Sequence, residues 1–145
     1  MQDFPHHYTV SASGRPESQV TLKADNLPEL VTAPPLAFGG PGDCWSPEDL
    51  LVGSIADCFI LTFRAIARAS KLEWTDLSCT VEGTLDRIDR VTRFNHFKVT
   101  ATLLVPAGTD TEKAGKLLEK AESSCLITRS LAAETHLEAS VTVQP

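Results

Sequence analysis

The feature that most constrains this chain is the stretch from residue 46 to residue 70, which predicts one long helix. It reads S-P-E-D-L-L-V-G-S-I-A-D-C-F-I-L-T-F-R-A-I-A-R-A-S. Ser46 is a favourable N-cap, because its hydroxyl can accept from an N–H of the first turn. Pro47 suits the first helical position, and Glu48 and Asp49 place carboxylates at the positive end of the helix dipole. No later proline interrupts the stretch, so the helix can run for about six to seven turns.

The faces of this helix differ in polarity. Asp57, Arg64 and Arg68 are spaced to share one narrow polar stripe. A different and mostly apolar face carries Leu51, Ile55, Cys58, Thr62, Ala65 and Ala69. This composition predicts a helix that is buried nearly all round. Cys58 on that face is either a small core hydrophobe or a reactive thiol, and the helix alone leaves both readings open.

The length and the net charge of the chain limit its domain organisation and its possible partners. A chain of 145 residues has the size of one domain, so we expect a single domain over residues 1–145. The net charge of −6 disfavours nucleic acid and anionic membranes as partners. The N-terminus lacks the pattern of a secretory signal. Asp57 and Arg64 interrupt the apolar helix, so no membrane span is expected, and we expect a cytoplasmic location.

The four cysteines are Cys44, Cys58, Cys79 and Cys125. None forms a C-x-x-C pair, and no Cys/His cluster has the spacing of metal ligands, so we expect neither a metal nor another cofactor. A reduced chain of this size needs no disulfide framework, so a bond between two of these thiols would more readily serve a reaction. Cys79 falls on the apolar side of an alternating strand and is interpreted as structural.

The N-terminal third predicts a hairpin and then a loop. Strand patterns flank a turn, so residues 7–23 form a hairpin with Arg15 at its tip, where a charged residue is ordinarily solvated. Residues 32–46 are rich in Gly and Pro and must form a loop. Phe38 and Trp45 provide apolar anchors that favour an ordered loop over a linker. Trp45 either covers the core or contacts a ligand.

The remainder alternates strands and helices. Residues 77–89 and 94–105 predict a long antiparallel hairpin that turns near Asp89 and Arg90. A helix over residues 111–123, a short helix after Cys125 and a strand over residues 136–143 follow. The order indicates an α+β domain with antiparallel strands folded around the long helix. One small sheet covers only one side of that helix, so we expect a second copy of the chain to cover the rest.

Two motifs resemble the OsmC/Ohr family of thiol-dependent hydroperoxide reductases. They are S-P-E-D-L-L-V-G-S-I-A-D-C-F at residues 46–59 and S-S-C-L-I-T-R-S-L at residues 123–131, and the resemblance covers nearly the whole chain. It implies an intertwined homodimer with sites at its interface. It also implies that Cys58 is the peroxidatic thiol and Cys125 the resolving thiol, with Arg15 and Glu48 completing the site. The A-D-C-F sequence and the G-G-P-G loop are more similar to the OsmC branch of the family than to the Ohr branch.

The chemistry that this resemblance implies begins with a thiolate. An apolar face raises the pKa of a cysteine, so Cys58 needs a cation beside it, and Arg15 can be that cation, held by Glu48. Attack on a peroxide gives a sulfenic acid, which condenses with Cys125 to a disulfide. A dithiol or another thiol reductant then resets the pair. Apolar neighbours would favour organic hydroperoxides over hydrogen peroxide, and the candidates are Phe38, Trp45 and Phe59.

Two questions stay open at this point. Glu48 lies ten residues before Cys58, which is roughly 15 Å along a straight helix, so either Arg15 spans part of that gap or the partner subunit supplies the glutamate. The alternatives to a peroxidase are a module that binds a small apolar ligand, or a stress-related structural dimer without peroxidase turnover.

Overall fold

The computed structural model describes all 145 residues. The chain divides into two compact units, Met1–Leu51 and Val52–Pro145, and each is described by itself. The single-domain organisation stays a prediction.

The N-terminal unit contains a three-stranded antiparallel sheet in the order β1-β2-β3. Its strands are β1 (Ser11–Ser13), β2 (Val20–Lys23) and β3 (Leu30–Thr32). The predicted hairpin is present, with Ser11 opposite Lys23 and with Arg15 in the β1–β2 connection. The first strand is shorter than predicted, because β2 offers only four residues for pairing. The third strand was not predicted, since three residues before a proline pair are too few to show a period.

The Gly/Pro-rich loop after β3 is ordered, as predicted. Ala33 N–H donates to the Trp45 carbonyl at 3.0 Å, which ties the two ends of the loop together. Between them lies a single 3-10 turn, Leu36–Phe38. A Cβ on Gly40 would lie 1.7 Å from the Pro34 carbonyl oxygen, so the loop can close only around glycine at that position.

The long helix α1 (Pro47–Ala69) begins where the sequence predicts. The Ser46 hydroxyl accepts from the Asp49 N–H at 3.1 Å, and the Asp49 carboxylate accepts from the Ser46 N–H at 3.1 Å. The Ser46 hydroxyl also donates to that carboxylate at 2.8 Å. This reciprocal cap satisfies N–H groups that a helix start leaves unpaired, and Ser46 is fully buried.

The buried face of α1 matches the predicted apolar face only at Ile55. Ile55, Phe59, Phe63 and Ala67 are buried, whereas Cys58 is only half-buried. The two phenylalanines have the most apolar area to remove from water, and that area decides which side faces the core. By length and composition alone α1 could cross a membrane, but this face packs inside the C-terminal unit. The helix is also not buried all round within one chain.

The second sheet belongs to the C-terminal unit and has the order β4-β5-β6. Strands β4 (Asp76–Ile88) and β5 (Val91–Val105) form the predicted antiparallel hairpin. Asp89 and Arg90 make its turn, both with positive φ (52° and 68°), as the tight turns of hairpins require. Alternate residues of β5 are buried, namely Phe97, Val99, Ala101, Leu103 and Val105.

The last strand corrects one expectation. Strand β6 (Glu134–Val143) pairs with β5 in parallel, so this sheet is mixed and not purely antiparallel. The connection between them contains α2 (Thr111–Ser124) and α3 (Leu126–Arg129). A crossover through helices returns the chain in the same direction, and this produces the parallel pairing.

Candidate active site

The fold places Cys58, in the middle of α1, beside Cys125, which lies between the end of α2 and the start of α3. Cys58 lies on α1, and Cys125 lies in the one-residue link between α2 and α3, where it is almost completely buried. Both thiols are free, and they are close enough for each to shift the pKa of the other. The structure therefore brings together the two cysteines that the sequence singled out.

The surroundings of Cys58 favour its thiolate. Burial raises the pKa of Cys58, but hydrogen bonds directed at its sulfur outweigh burial and lower the pKa below the ordinary value. The donors are the Ile127 backbone N–H, the Cys125 thiol, the Thr62 hydroxyl and the Leu126 backbone N–H. The two N–H groups belong to the first turn of α3, where a helix has no carbonyl partners of its own. A half-buried thiol thus gains acidity from neutral hydrogen-bond donors.

Cys125 is perturbed in the opposite direction. Burial raises the pKa of Cys125, and its hydrogen bond and charge interaction with Cys58 raise that pKa further. Hydrogen bonding by the neighbouring Thr128 offsets only part of this effect. The Thr128 hydroxyl donates its proton to the Cys125 carbonyl at 3.1 Å, which holds the start of α3. Of the pair, Cys58 is the thiol that ionises first, and Cys125 is the one that keeps its proton.

Cys58 forms part of the wall of an open cavity of about 560 Å³ in the C-terminal unit. Most of its accessible lining is apolar, and Asp57 is its one charged residue. The other lining residues are Ser54, Leu61, Thr62, Ala65, Ser124, Leu126 and Ile127. A cavity of this size lies within the range of small-molecule sites.

Arg15 and Glu48 lie in the N-terminal unit and do not form the predicted ion pair in this structure. Arg15 is exposed and has no salt-bridge partner. One carboxylate oxygen of Glu48, Oε2, is buried without a hydrogen-bond partner. Glu48 lines a mostly apolar cavity of about 450 Å³ within that unit. The donors that lower the pKa of Cys58 are neutral, so a cation is not what lowers it here.

The three aromatic residues predicted to contact substrate have different places. Phe38 is 60% exposed and lines the N-terminal cavity. Trp45 is 54% exposed and lines a shallow surface recess beside Cys44. Phe59 is 1% exposed and does not line the Cys58 cavity, so its predicted role as a substrate contact is replaced by core packing. Consecutive helical residues point about 100° apart, and this separates Phe59 from Cys58.

The other two cysteines differ from the pair. Cys79 is half-buried on β4 opposite Ala101, and burial raises its pKa to about 11. Its low acidity agrees with the structural role predicted for it. Cys44 accepts a hydrogen bond from the Gln19 side chain at 3.2 Å. Its pKa is raised, by desolvation and by the neighbouring Asp43.

Sequence reasoning missed three of the groups that contact Cys58. Thr62 follows Cys58 by one helical turn and was noted only as part of the apolar face, although C-x-x-x-T on a helix places a hydroxyl beside a thiol. The Leu126 and Ile127 groups are main-chain N–H donors. The only sequence feature that could have indicated them is the predicted helix that starts directly after Cys125.

Comparison with known proteins agrees with the fold and the motifs. Residues 40–140 match the model of a family described as OsmC-like protein. The uncharacterised protein YmaD of Bacillus subtilis is 32% identical over 143 residues, which covers 94% of this chain and 95% of that protein.

Solved structures from Vibrio cholerae and Legionella pneumophila have the same fold. An OsmC-like protein of unknown function from Vibrio cholerae superposes with a TM-score of 0.83 at 15% identity, covering 94% of this chain and 100% of that one. An organic hydroperoxide resistance protein OsmC from Legionella pneumophila gives a TM-score of 0.76 at 25% identity, covering 97% and 100%. The family match spans more than half of the chain, and the chain therefore belongs to the OsmC-like family.

Proposed function

We propose that this protein is a thiol-dependent peroxidase that reduces organic hydroperoxides. The observation that carries the proposal is the neighbouring pair of Cys58 and Cys125, whose pKa values are displaced in opposite directions beside an apolar cavity. Neighbouring titratable groups whose pKa values are shifted in opposite directions are typical of active sites, in which one group acts deprotonated and the other protonated. The similarity to a protein named for organic hydroperoxide resistance supports the same redox role.

The first step is attack of the Cys58 thiolate on the distal oxygen of the hydroperoxide. The S–O bond forms as the O–O bond breaks, and the sulfur is oxidised to a sulfenic acid. The leaving alkoxide takes a proton and departs as an alcohol. The N–H donors of Leu126 and Ile127 act before this step, because they lower the pKa of Cys58 and so favour the reactive thiolate.

The second step joins the two sulfurs. The Cys125 sulfur attacks the Cys58 sulfenic acid, the S–S bond forms, and water leaves with the proton that Cys125 gives up. Two electrons from a dithiol, or from two molecules of a monothiol, then return both cysteines to thiols by exchange, and the reductant leaves as its disulfide.

Substrate class follows from the cavity beside Cys58. Its accessible lining is mostly apolar, from side chains such as Leu61 and Ala65. An organic hydroperoxide can remove that surface from water, whereas hydrogen peroxide cannot. We therefore expect a higher kcat/KM for cumene hydroperoxide than for hydrogen peroxide.

Arg15 and Glu48 complete the proposed site in a homodimer. Glu48 Oε2 is a buried acceptor without a donor, which a guanidinium could satisfy, and Arg15 is free of other ion pairs. Leu61 and Leu126 line the Cys58 cavity yet are 49% and 65% exposed, which favours cover by a second copy. We also propose a cytoplasmic location for this peroxidase, because thiol reductants keep cysteines reduced in the cytoplasm.

Turnover of cumene hydroperoxide with and without dithiothreitol tests the proposal. We expect consumption that needs the dithiol, stops in Cys58→Ser and continues in Cys79→Ser, which is the matched control. Equal consumption in the Cys58→Ser variant would overturn the assignment of Cys58.

The identity of the oxidised product tests the pairing separately. One equivalent of hydroperoxide should convert Cys58 and Cys125 to a disulfide, found by peptide mass spectrometry without reduction. In Cys125→Ser the sulfenic acid should persist and be trapped by dimedone. A Cys44–Cys58 disulfide in the parent protein would contradict the role of Cys125.

A second candidate function is binding of a small apolar ligand by the N-terminal unit. The observation that favours it is the cavity of about 450 Å³ lined by Phe38, Val20 and Leu22, with the unsatisfied Glu48 oxygen. Its test is titration with an apolar amine, followed by the intrinsic fluorescence of the protein. Binding lost in Glu48→Gln, together with absence of dithiol-dependent turnover, would favour this function over the peroxidase.

A further inference from the structure

A threonine one turn beyond Cys58 faces the same cavity as the thiol. Residues four apart on a helix are surface neighbours, and Cys58 and Thr62 both line this cavity. The Thr62 hydroxyl oxygen lies 3.7 Å from the Cys58 sulfur. Thr62 is half-buried, and this is its one side-chain hydrogen bond.

We propose that Thr62 is a further functional residue of this site, whose hydroxyl donates to the reacting sulfur of Cys58. The inference rests on the proposed function only in taking Cys58 as the reacting thiol. The pair of roles assigned to Cys58 and Cys125 does not include Thr62, and neither does the OsmC/Ohr resemblance described above.

The direction of this hydrogen bond changes with the state of the sulfur. A thiol can either donate or accept, so Thr62 and Cys58 can share their contact in both directions. A thiolate can only accept, so the hydroxyl must then donate. A donor to the charged form strengthens on ionisation and favours that form. Thr62 therefore acts selectively on the thiolate.

Threonine in the middle of a helix often donates to the carbonyl four residues earlier. For Thr62 that carbonyl belongs to Cys58, yet the hydroxyl bonds the Cys58 side chain. Threonine also has a lower helix propensity than alanine, which is common on this helix. Orientation toward the thiol gives the hydroxyl a partner on a mostly apolar wall.

Thr62 differs from the other donors in the element that carries it. The N–H groups of Leu126 and Ile127 and the Cys125 thiol all come from the α2–α3 region, and Cys125 loses its proton when the disulfide forms. Thr62 shares α1 with Cys58, so its contact needs no particular position of α3. Thr62 thus assists the attack on the substrate whatever the position of α3.

The test compares two replacements of Thr62. Thr62→Val keeps the shape and removes the hydroxyl, whereas Thr62→Ser keeps the hydroxyl. Thr80→Val, at an exposed position of β4, is the matched control. The rate of Cys58 alkylation by iodoacetamide is measured from pH 5 to 10 by peptide mass spectrometry, which needs no peroxide turnover.

For Thr62→Val we expect a midpoint shifted to higher pH and a rate at pH 7 lower by about three- to tenfold, since each pKa unit changes the thiolate fraction about tenfold. The rates should converge at high pH, where every thiol is ionised. Thr62→Ser and Thr80→Val should follow the parent profile.

A Thr62→Val profile identical to the parent would overturn the proposal. An equal shift in Thr62→Val and Thr62→Ser would also overturn it, because the effect would then come from packing. If Thr62→Val loses its circular dichroism spectrum, Thr62→Ala against Thr62→Ser decides the same question. A parent protein without peroxidase turnover that still shows the shift would refute the peroxidase and leave the Thr62 contact standing.

Discussion

In the folded protein Cys58 should react with an alkylating agent before the other thiols, and far faster than Cys79. Only the thiolate reacts, so the order follows the fraction of each thiol that is ionised. Hydrogen-bond donors lower the pKa of Cys58, whereas burial raises that of Cys79 to about 11. The perturbation is pH, and the readout is the alkylation rate at each cysteine.

The size of the difference follows from these values. At pH 7 a thiol of pKa about 11 is ionised to roughly 1 part in 10,000, whereas a thiol at the unshifted pKa of 9.0 is ionised to roughly 1%. Ionisation alone therefore slows Cys79 roughly 100-fold relative to an ordinary thiol, before any loss of access. Cys58 should exceed the ordinary thiol, so it should outpace Cys79 by more than this factor.

The assay is a time course with iodoacetamide, quenched in acid and resolved by peptide mass spectrometry at several pH values. Cys58 should keep its reactivity to lower pH than an ordinary thiol, because its pKa is lowered in the folded state. The same reaction in concentrated urea is the control. There the fold no longer perturbs the thiols, and the four rates should converge.

Either of two results would refute this reasoning. One is a Cys79 rate within tenfold of the Cys58 rate at pH 7 in the folded protein. The other is a Cys58 midpoint at or above that of the same cysteine in urea, which would mean that burial outweighs the donors.

Three further predictions concern the N-terminal unit, packing and assembly. In the proposed homodimer Arg15 brings to Cys58 a cation that is not among the groups lowering its pKa in one chain, so Arg15→Ala should raise the pH at which Cys58 is alkylated. Glu48→Ala should do less, because Arg15 keeps its charge and loses only its anchor. An unchanged Arg15→Ala profile would leave Arg15 as a solvated hairpin residue. Gly83→Ala should destabilise the fold by about 1–3 kcal/mol in urea unfolding, since its Cβ would lie 2.9 Å from the Val52 side chain. The control Gly115→Ala, with open space around its Cβ, should instead stabilise α2 by about 0.5–1 kcal/mol. Light scattering at micromolar concentration should give the mass of a dimer, and a mass near 15.7 kDa would contradict the homodimer.

The sequence alone determined the features that depend on local backbone physics. The start of α1 was predictable, because Ser46 and Pro47 suit a helix N-terminus whatever surrounds it. The β4–β5 turn was predictable too, since Asp89 and Arg90 interrupt two strand patterns. The two motif cysteines could also be named, because a resemblance in motif points to particular positions.

Tertiary structure alone decided the features that depend on residues distant in the chain. Two faces of α1 are apolar enough to face the core: the one with Phe59 and Phe63, and the one with Cys58. The periodicity of the sequence does not show which of the two is buried, because that depends on the rest of the fold. The parallel pairing of β6 depends on the path of the α2–α3 crossover. The acidity of Cys58 depends largely on main-chain N–H groups at the start of α3. Every residue except proline has such a group, so only the fold can aim one at a sulfur.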